Sequence, residues 1–159
     1  MERKELKISY KQYNSLTELP QDEKRLMEMA IEATAGSYSP YSTFRVGAAA
    51  LMENGEIITA ANQENAAYPS GMCAERSVLF YAHSKYPDIA VRALAVAAKH
   101  NGELTPQPTY PCGACRQVLY ETQQRSGKPV KIIIGSSTRI LVLDSVSDIL
   151  PFAFDNYPN

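Results

Sequence analysis

Three cysteines stand at positions 73, 112 and 115, and each falls where a helix is expected to begin. Cys73 opens "AERSVLFYA", while Cys112 and Cys115 open "ACRQVLYETQQ". The free N–H groups and positive dipole end of a helix stabilise a thiolate, the form of cysteine that binds metal. A fold that uses all three thiols together must bring two helix N-termini to one point. That requirement constrains the chain more than any other feature.

An odd number of cysteines does not make a disulfide framework, so a reducing, cytoplasmic setting is the expectation. Cys-x-x-Cys at a helix start would by itself also suit a dithiol redox pair. Such a pair has no need of a third thiol with Glu75 two residues beyond it. A structural zinc site is closed by four protein ligands, and the fourth would have to be His83 or His100. His83 lies about ten residues into its helix, roughly 15 Å along the axis, too far to share an ion with Cys73. His100 falls between a strand and a proline-rich loop, with no spacing that asks for it.

Three protein ligands and an open fourth position form the catalytic pattern, in which Glu75 would serve as a general acid/base. Three thiolates leave a zinc site negatively charged. Two helix N-termini, and Arg76 donating to sulfur, would offset that charge. Taken singly, each residue has a plainer reading: Cys73 as a small buried apolar residue, Glu75 as a complement to the helix dipole, Arg76 as a solvated charge. A thiol redox module and a closed structural zinc module therefore stand as rivals from another class.

Along the chain, residues 1–18 read as an N-terminal extension with an edge strand at most, and residues 19–159 as a single domain. Leu26, Met29, Ala30 and Ala33 share a helical face in "LPQDEKRLMEMAIEATAG", with Pro20 in the first turn and Gly36 as the stop. "FRVGAAALMENGEIITAAN" reads as a hairpin whose Asn54-Gly55 supplies positive φ angles. "IAVRALAVAAK" is an almost unbroken apolar run, expected to be a strand buried on both faces. The third helix buries Cys115, Val118, Leu119 and Thr122 and closes at Gly127 and Pro129. "VKIIIG" and "RILVLDS" are two further strands, and "VSDILPFAF" a short terminal helix. The pattern predicts an α/β fold: a three-layer α-β-α sandwich around a five-stranded mixed sheet. A net charge of -1 offers no phosphate track for nucleic acid, and no apolar run is long enough to cross a membrane.

"NQENAAYPSGMCAERSVLF" and "PCGACRQVL", with "YSPYSTFRVGAAA" upstream and "LPFAF" near the end, closely resemble the small homo-oligomeric cytidine deaminases. The resemblance runs in order over roughly residues 20 to 155. It implies one zinc ion per subunit, held by Cys73, Cys112 and Cys115 in an all-cysteine variant of the His-x-Glu deaminase motif. It implies that Glu75 moves protons between water, the pyrimidine N3 and departing ammonia, and that Arg76 donates to the cysteine sulfurs. For substrate it implies that Asn62 and Glu64 hold the ribose 3′-hydroxyl and that Phe44 packs on the base. The Ala74 N–H and Tyr110 carbonyl would then meet the pyrimidine edge. Phe154 would enter a neighbouring subunit's site in a homotetramer with shared active sites. Tyr110 stands where the family usually has serine. The implied reaction converts cytidine or 2′-deoxycytidine to the uridine form, in pyrimidine salvage. A deaminase of a cytosine nucleoside antibiotic such as blasticidin S is the alternative on the same scaffold.

Overall fold

A computed structural model describes residues 1–155. The sheet is mixed and seven-stranded: β1 (Lys11–Tyr13), β2 (Phe44–Met52), β3 (Ile57–Ala61), β4 (Val91–His100), β5 (Glu103–Leu104), β6 (Lys131–Gly135) and β7 (Ile140–Leu143). Its order is β1-β7-β6-β4-β2-β3, with β5 pairing β4. Three helices flank it: α1 (Gln21–Ala33), α2 (Ala74–Lys85) and α3 (Gly113–Ser126).

Strict alternation along the central strands sorts side chains into two cores. Ala48, Ala50, Leu94, Val96, Ile132 and Ile134 pack with Val78 and Leu79 of α2 and Leu119 of α3. Ala49, Ala93, Ala95, Ala97 and Ile133 face the other way, onto Leu26, Met27 and Ala30 of α1. Helices thus cover both faces, and the expected three layers form. Small alanines on β2 and β4 let the helices approach closely. At Gly47 the approach is so close that a Cβ would collide with the Ala30 carbonyl oxygen and the Thr34 nitrogen. β4 runs antiparallel to β2 and parallel to β6. The β4-to-β6 connection passes through α3, which puts the N-termini of α2 and α3 over the same sheet face.

Several local expectations are corrected. The sheet has seven strands rather than five, because two short ones carry little hydrophobic pattern. β1, in the extension, pairs antiparallel with β7, and β5 folds back on β4. Of the two Asn-Gly dipeptides, Asn101-Gly102 makes the two-residue turn, with both residues at positive φ (53° and 86°). At Asn54-Gly55 only the glycine is left-handed, at 87°. There Gly55 N–H donates to the Met52 carbonyl and Met52 N–H to the Glu56 carbonyl, the three-residue hairpin loop with a bulge. In α1 Met29 packs partly buried against the core as expected, and Met27, outside the expected face, is fully buried. "VSDILPFAF" forms only a 3-10 turn over Val146–Asp148, not an α-helix; Pro151, three residues after the turn ends, lacks the N–H a continuing helix needs.

Candidate active site

Cys73 is the N-cap of α2 and Cys112 the N-cap of α3, and neither uses its side chain to cap its helix. Their thiols are free to meet. Cys112 Sγ lies 3.9 Å from Cys73 Sγ and 3.4 Å from Cys115 Sγ, one turn into α3. All three sulfurs fall within 4.8 Å of one another. Sulfurs on a tetrahedral zinc, at roughly 2.3 Å from the ion, would stand roughly 3.8 Å apart, so this donor set fits the ion. Among the described residues the cluster contains no histidine. His83 bonds the Thr122 hydroxyl at 3.2 Å, and His100 ends β4 with its ring beside Phe44. Cys115 is fully buried, whereas Cys73 and Cys112 line an adjoining cavity.

Cys73 and Cys115 are shifted in opposite directions by their contact with each other. Cys73 is pulled down to about 5, first by its hydrogen bond with the Cys115 thiol and then by the Arg76 guanidinium. Cys115 is pushed up, by the same bond and by burial. Arg76 Nη2 donates to Cys73 Sγ at 3.5 Å, while its Nε is buried without a partner among the described residues. Glu75, at the second position of α2, is only 5 % exposed. Burial raises its carboxyl above the usual carboxylate range. A carboxyl moved toward neutral pH is suited to both accepting and giving a proton.

The cavity, of about 830 Å³, is lined by Asn62, Glu64, Cys73, Ala74, Glu75, Arg76, Tyr110 and Cys112 together with loop residues. At the end away from sulfur the polar groups are held firmly. Asn62 Oδ1 accepts from Ser37 Oγ at 2.6 Å and from the Val46 N–H at 2.8 Å, and its Nδ2 donates to the Phe44 carbonyl at 3.0 Å. Glu64 Oε2 accepts from the Tyr41 and Ser42 N–H groups at 3.0 and 3.3 Å, and Ser42 Oγ donates to Oε1. Tyr110 is half exposed on the lining.

Three sequence-predicted residues lie outside this lining: the fully buried Cys115, Phe44 and Phe154. Phe44 begins β2 with its ring centroid 6.4 Å from that of His100. Phe154 has an exposed side chain and a backbone clamped by Gln117, whose Nε2 donates to the Phe154 carbonyl at 2.7 Å and whose Oε1 accepts from its N–H at 3.2 Å. Sequence reasoning missed Ser37 and Ser42, which fix Asn62 and Glu64. It also missed Arg116, which ties the start of α3 to the Pro111 carbonyl (2.8 Å) and the Ile149 carbonyl (2.9 Å). Both serines sit in "GSYSPYSTF", a run of turn formers whose long-range partners no local pattern signals.

Residues 20–128 match the model of the cytidine and deoxycytidylate deaminase zinc-binding region. The chain is 43% identical over 133 residues to a cytidine deaminase of Halalkalibacterium halodurans, covering 84% of this chain and 94% of that protein. A crystal structure of cytidine deaminase from Burkholderia pseudomallei superposes with a TM-score of 0.66 at 36% identity, covering 82% of this chain and 97% of that one. One from Mycobacterium tuberculosis gives 0.67 at 34%, covering 86% and 100%. With the motif, the fold and the sulfur cluster in agreement, the chain belongs to the cytidine and deoxycytidylate deaminase family, a zinc-binding family of hydrolases.

Proposed function

We propose that the protein hydrolytically deaminates cytidine and 2′-deoxycytidine to uridine and 2′-deoxyuridine, releasing ammonia. One observation carries this reading. The three-thiol cluster and the buried Glu75 border the same cavity as Asn62 and Glu64, so a metal site, an acid/base and a sugar-reading pair share one chamber.

Cys73, Cys112 and Cys115 would hold the zinc, which when bound supplies a Lewis acid that brings water to its nucleophilic form near neutral pH. Glu75 takes a proton from the attacking water and delivers one to N3 of the pyrimidine, so no full negative charge builds on the base. A C4–O bond forms; Glu75 then takes the remaining proton from the new C4 hydroxyl and passes it to the amine, and the C4–N bond breaks to leave the C4 carbonyl and ammonia. Arg76 holds the Cys73 sulfur and spreads the charge of the thiolates. Asn62 and Glu64 bind the ribose, and an ionised Glu64 turns away a nearby 5′-phosphate, which favours free nucleosides. Phe44 and Tyr110 flank the base, the latter through its carbonyl as Ala74 does through its N–H.

The working form is a cytoplasmic homotetramer in which Phe154 reaches a neighbour's site; the Gln117 clamp on its backbone supports a directed tail. The catalytic unit we assign is residues 19–159, and β1 of the 1–18 extension joins its sheet at the edge beside β7. No described helix is long and apolar enough to cross a membrane.

Ultraviolet monitoring of cytidine loss by zinc-loaded protein tests the reading, with Glu75→Gln alongside. The variant should keep its zinc and lose about 10²- to 10⁴-fold in kcat. No cytidine turnover by the zinc-loaded wild type would return the thiol module to first place, and undiminished turnover by Glu75→Gln would remove Glu75 as the acid/base. Negligible kcat/KM on cytidine beside good turnover of blasticidin S would move the substrate to the nucleoside antibiotics.

A further inference from the structure

We infer that Ser42 is a positioning residue for sugar recognition: it fixes the Glu64 carboxylate so that a single acceptor site faces the nucleoside. This rests on the reading above, in which Glu64 meets a ribose hydroxyl.

The backbone at Glu64 is pinned from two sides. Its N–H donates to the Tyr38 carbonyl at 2.8 Å, and the preceding residue, Gln63, exchanges hydrogen bonds with Met72 at 2.9 and 2.8 Å. The side chain still has free torsions, and what stops them is the 41–42 segment. An ionised carboxylate offers about four lone-pair sites. The N–H groups of Tyr41 and Ser42 take both on Oε2, and the Ser42 hydroxyl takes one on Oε1. One site is left, on the oxygen that Ser42 holds.

The direction of the serine bond is fixed as well. Ser42 Oγ accepts from the Phe44 N–H at 3.0 Å, so its own proton is free for Glu64. This geometry needs a sharp reversal, and Thr43 makes it at φ 56°, a conformation unfavourable for a β-branched residue. The Thr43 N–H closes the turn on the Ser39 carbonyl at 3.0 Å. The same donors, with the Ser42 hydroxyl foremost, hold the Glu64 carboxyl below the usual carboxylate range. Both Ser42 and Glu64 line the cavity.

The experiment compares cytidine with 3′-deoxycytidine for the wild-type enzyme, Ser42→Ala and Ser42→Thr, all zinc-loaded. Wild-type enzyme should prefer cytidine. Ser42→Ala should raise KM for cytidine about 10-fold with kcat changed far less, as expected when one charge-assisted hydrogen bond is lost from ground-state binding. The preference over 3′-deoxycytidine should shrink by the same factor. Ser42→Thr keeps the hydroxyl and should restore it.

A role confined to holding the fold predicts something else: equal losses on both nucleosides, with a lower melting temperature. That result overturns the inference, as does an unchanged preference in Ser42→Ala. If the wild-type enzyme turns over both nucleosides equally well, the sugar contact of Glu64 itself fails and takes the inference with it. Ser42 is exposed, so the alanine variant is expected to fold.

Discussion

The two ends of the cavity are built in opposite ways. At the sulfur end few bonds hold the polar groups: the three sulfurs meet one another and Arg76, whose Nε has no partner among the described residues, and Glu75 is buried with its carboxyl raised above the usual carboxylate range. At the sugar end the side chains are held from several directions, with one acceptor site of Glu64 left open. Asn62 uses both ends of its amide on Ser37 and β2, and Glu64 receives three donors from residues 41 and 42. The first end gathers the donors of a metal site; the second fixes its acceptors through neighbouring segments.

The contrast can be broken by substitution, and the largest effect is expected at the sulfur end. Cys73→Ala removes one of three ligands, so metal analysis should find bound zinc falling to background and turnover vanishing with it. Stoichiometric zinc with retained activity would abolish the distinction between the two ends. Chelation of the native enzyme should also lower its melting temperature, since an ion that binds only the folded state stabilises it. Arg76→Ala should weaken zinc about 10- to 100-fold in chelator competition, the usual cost of losing a group that supports a ligand.

At the sugar end the expected effects are on stability and binding. Asn62→Ala leaves the Val46 N–H and Phe44 carbonyl without their partner. Chemical denaturation should show a loss of about 1–3 kcal/mol with zinc content unchanged. No loss at all would mean that this end is not pre-built.

The smallest effect is the pH dependence of Glu64. Its carboxyl lies below the ordinary 4.5, through the Ser42 hydroxyl above all. A lowered pKa means that the folded state favours the ionised form. Its contribution is therefore complete above pH 4.5 and is lost as pH falls below that through the folded value. The melting temperatures of wild type and Glu64→Gln should thus differ at neutral pH and converge under acid; a gap that widens in acid would reverse the sign assigned here.

The same contrast explains what could be read in advance. Cysteine is rare and chemically specific, so Cys73, Cys112 and Cys115 announced a shared site, and the N-cap positions followed from helical periodicity nearby. Asn62 and Glu64 were legible through the family resemblance alone, since "NQEN" taken locally is only a polar loop. Ser37 and Ser42 escaped because serine in a turn is ordinary. Its partner here lies 25 residues away for Ser37 and 22 for Ser42.

By itself, the sequence determined the three α-helices, the apolar strands, the α/β class and the thiol chemistry, because each is written in a short-range period or in a residue type with few other uses. Only the tertiary structure decided which Asn-Gly became a two-residue turn. At Asn101-Gly102 the paired residues His100 and Glu103 leave room for just two, whereas pairing around Met52 and Glu56 forces three. Tertiary pairing also recruited β1 to the edge beside β7 and set the Glu64 carboxylate against the 41–42 turn. Register and long-range hydrogen bonding depend on where distant segments come to rest, and no local pattern carries that information.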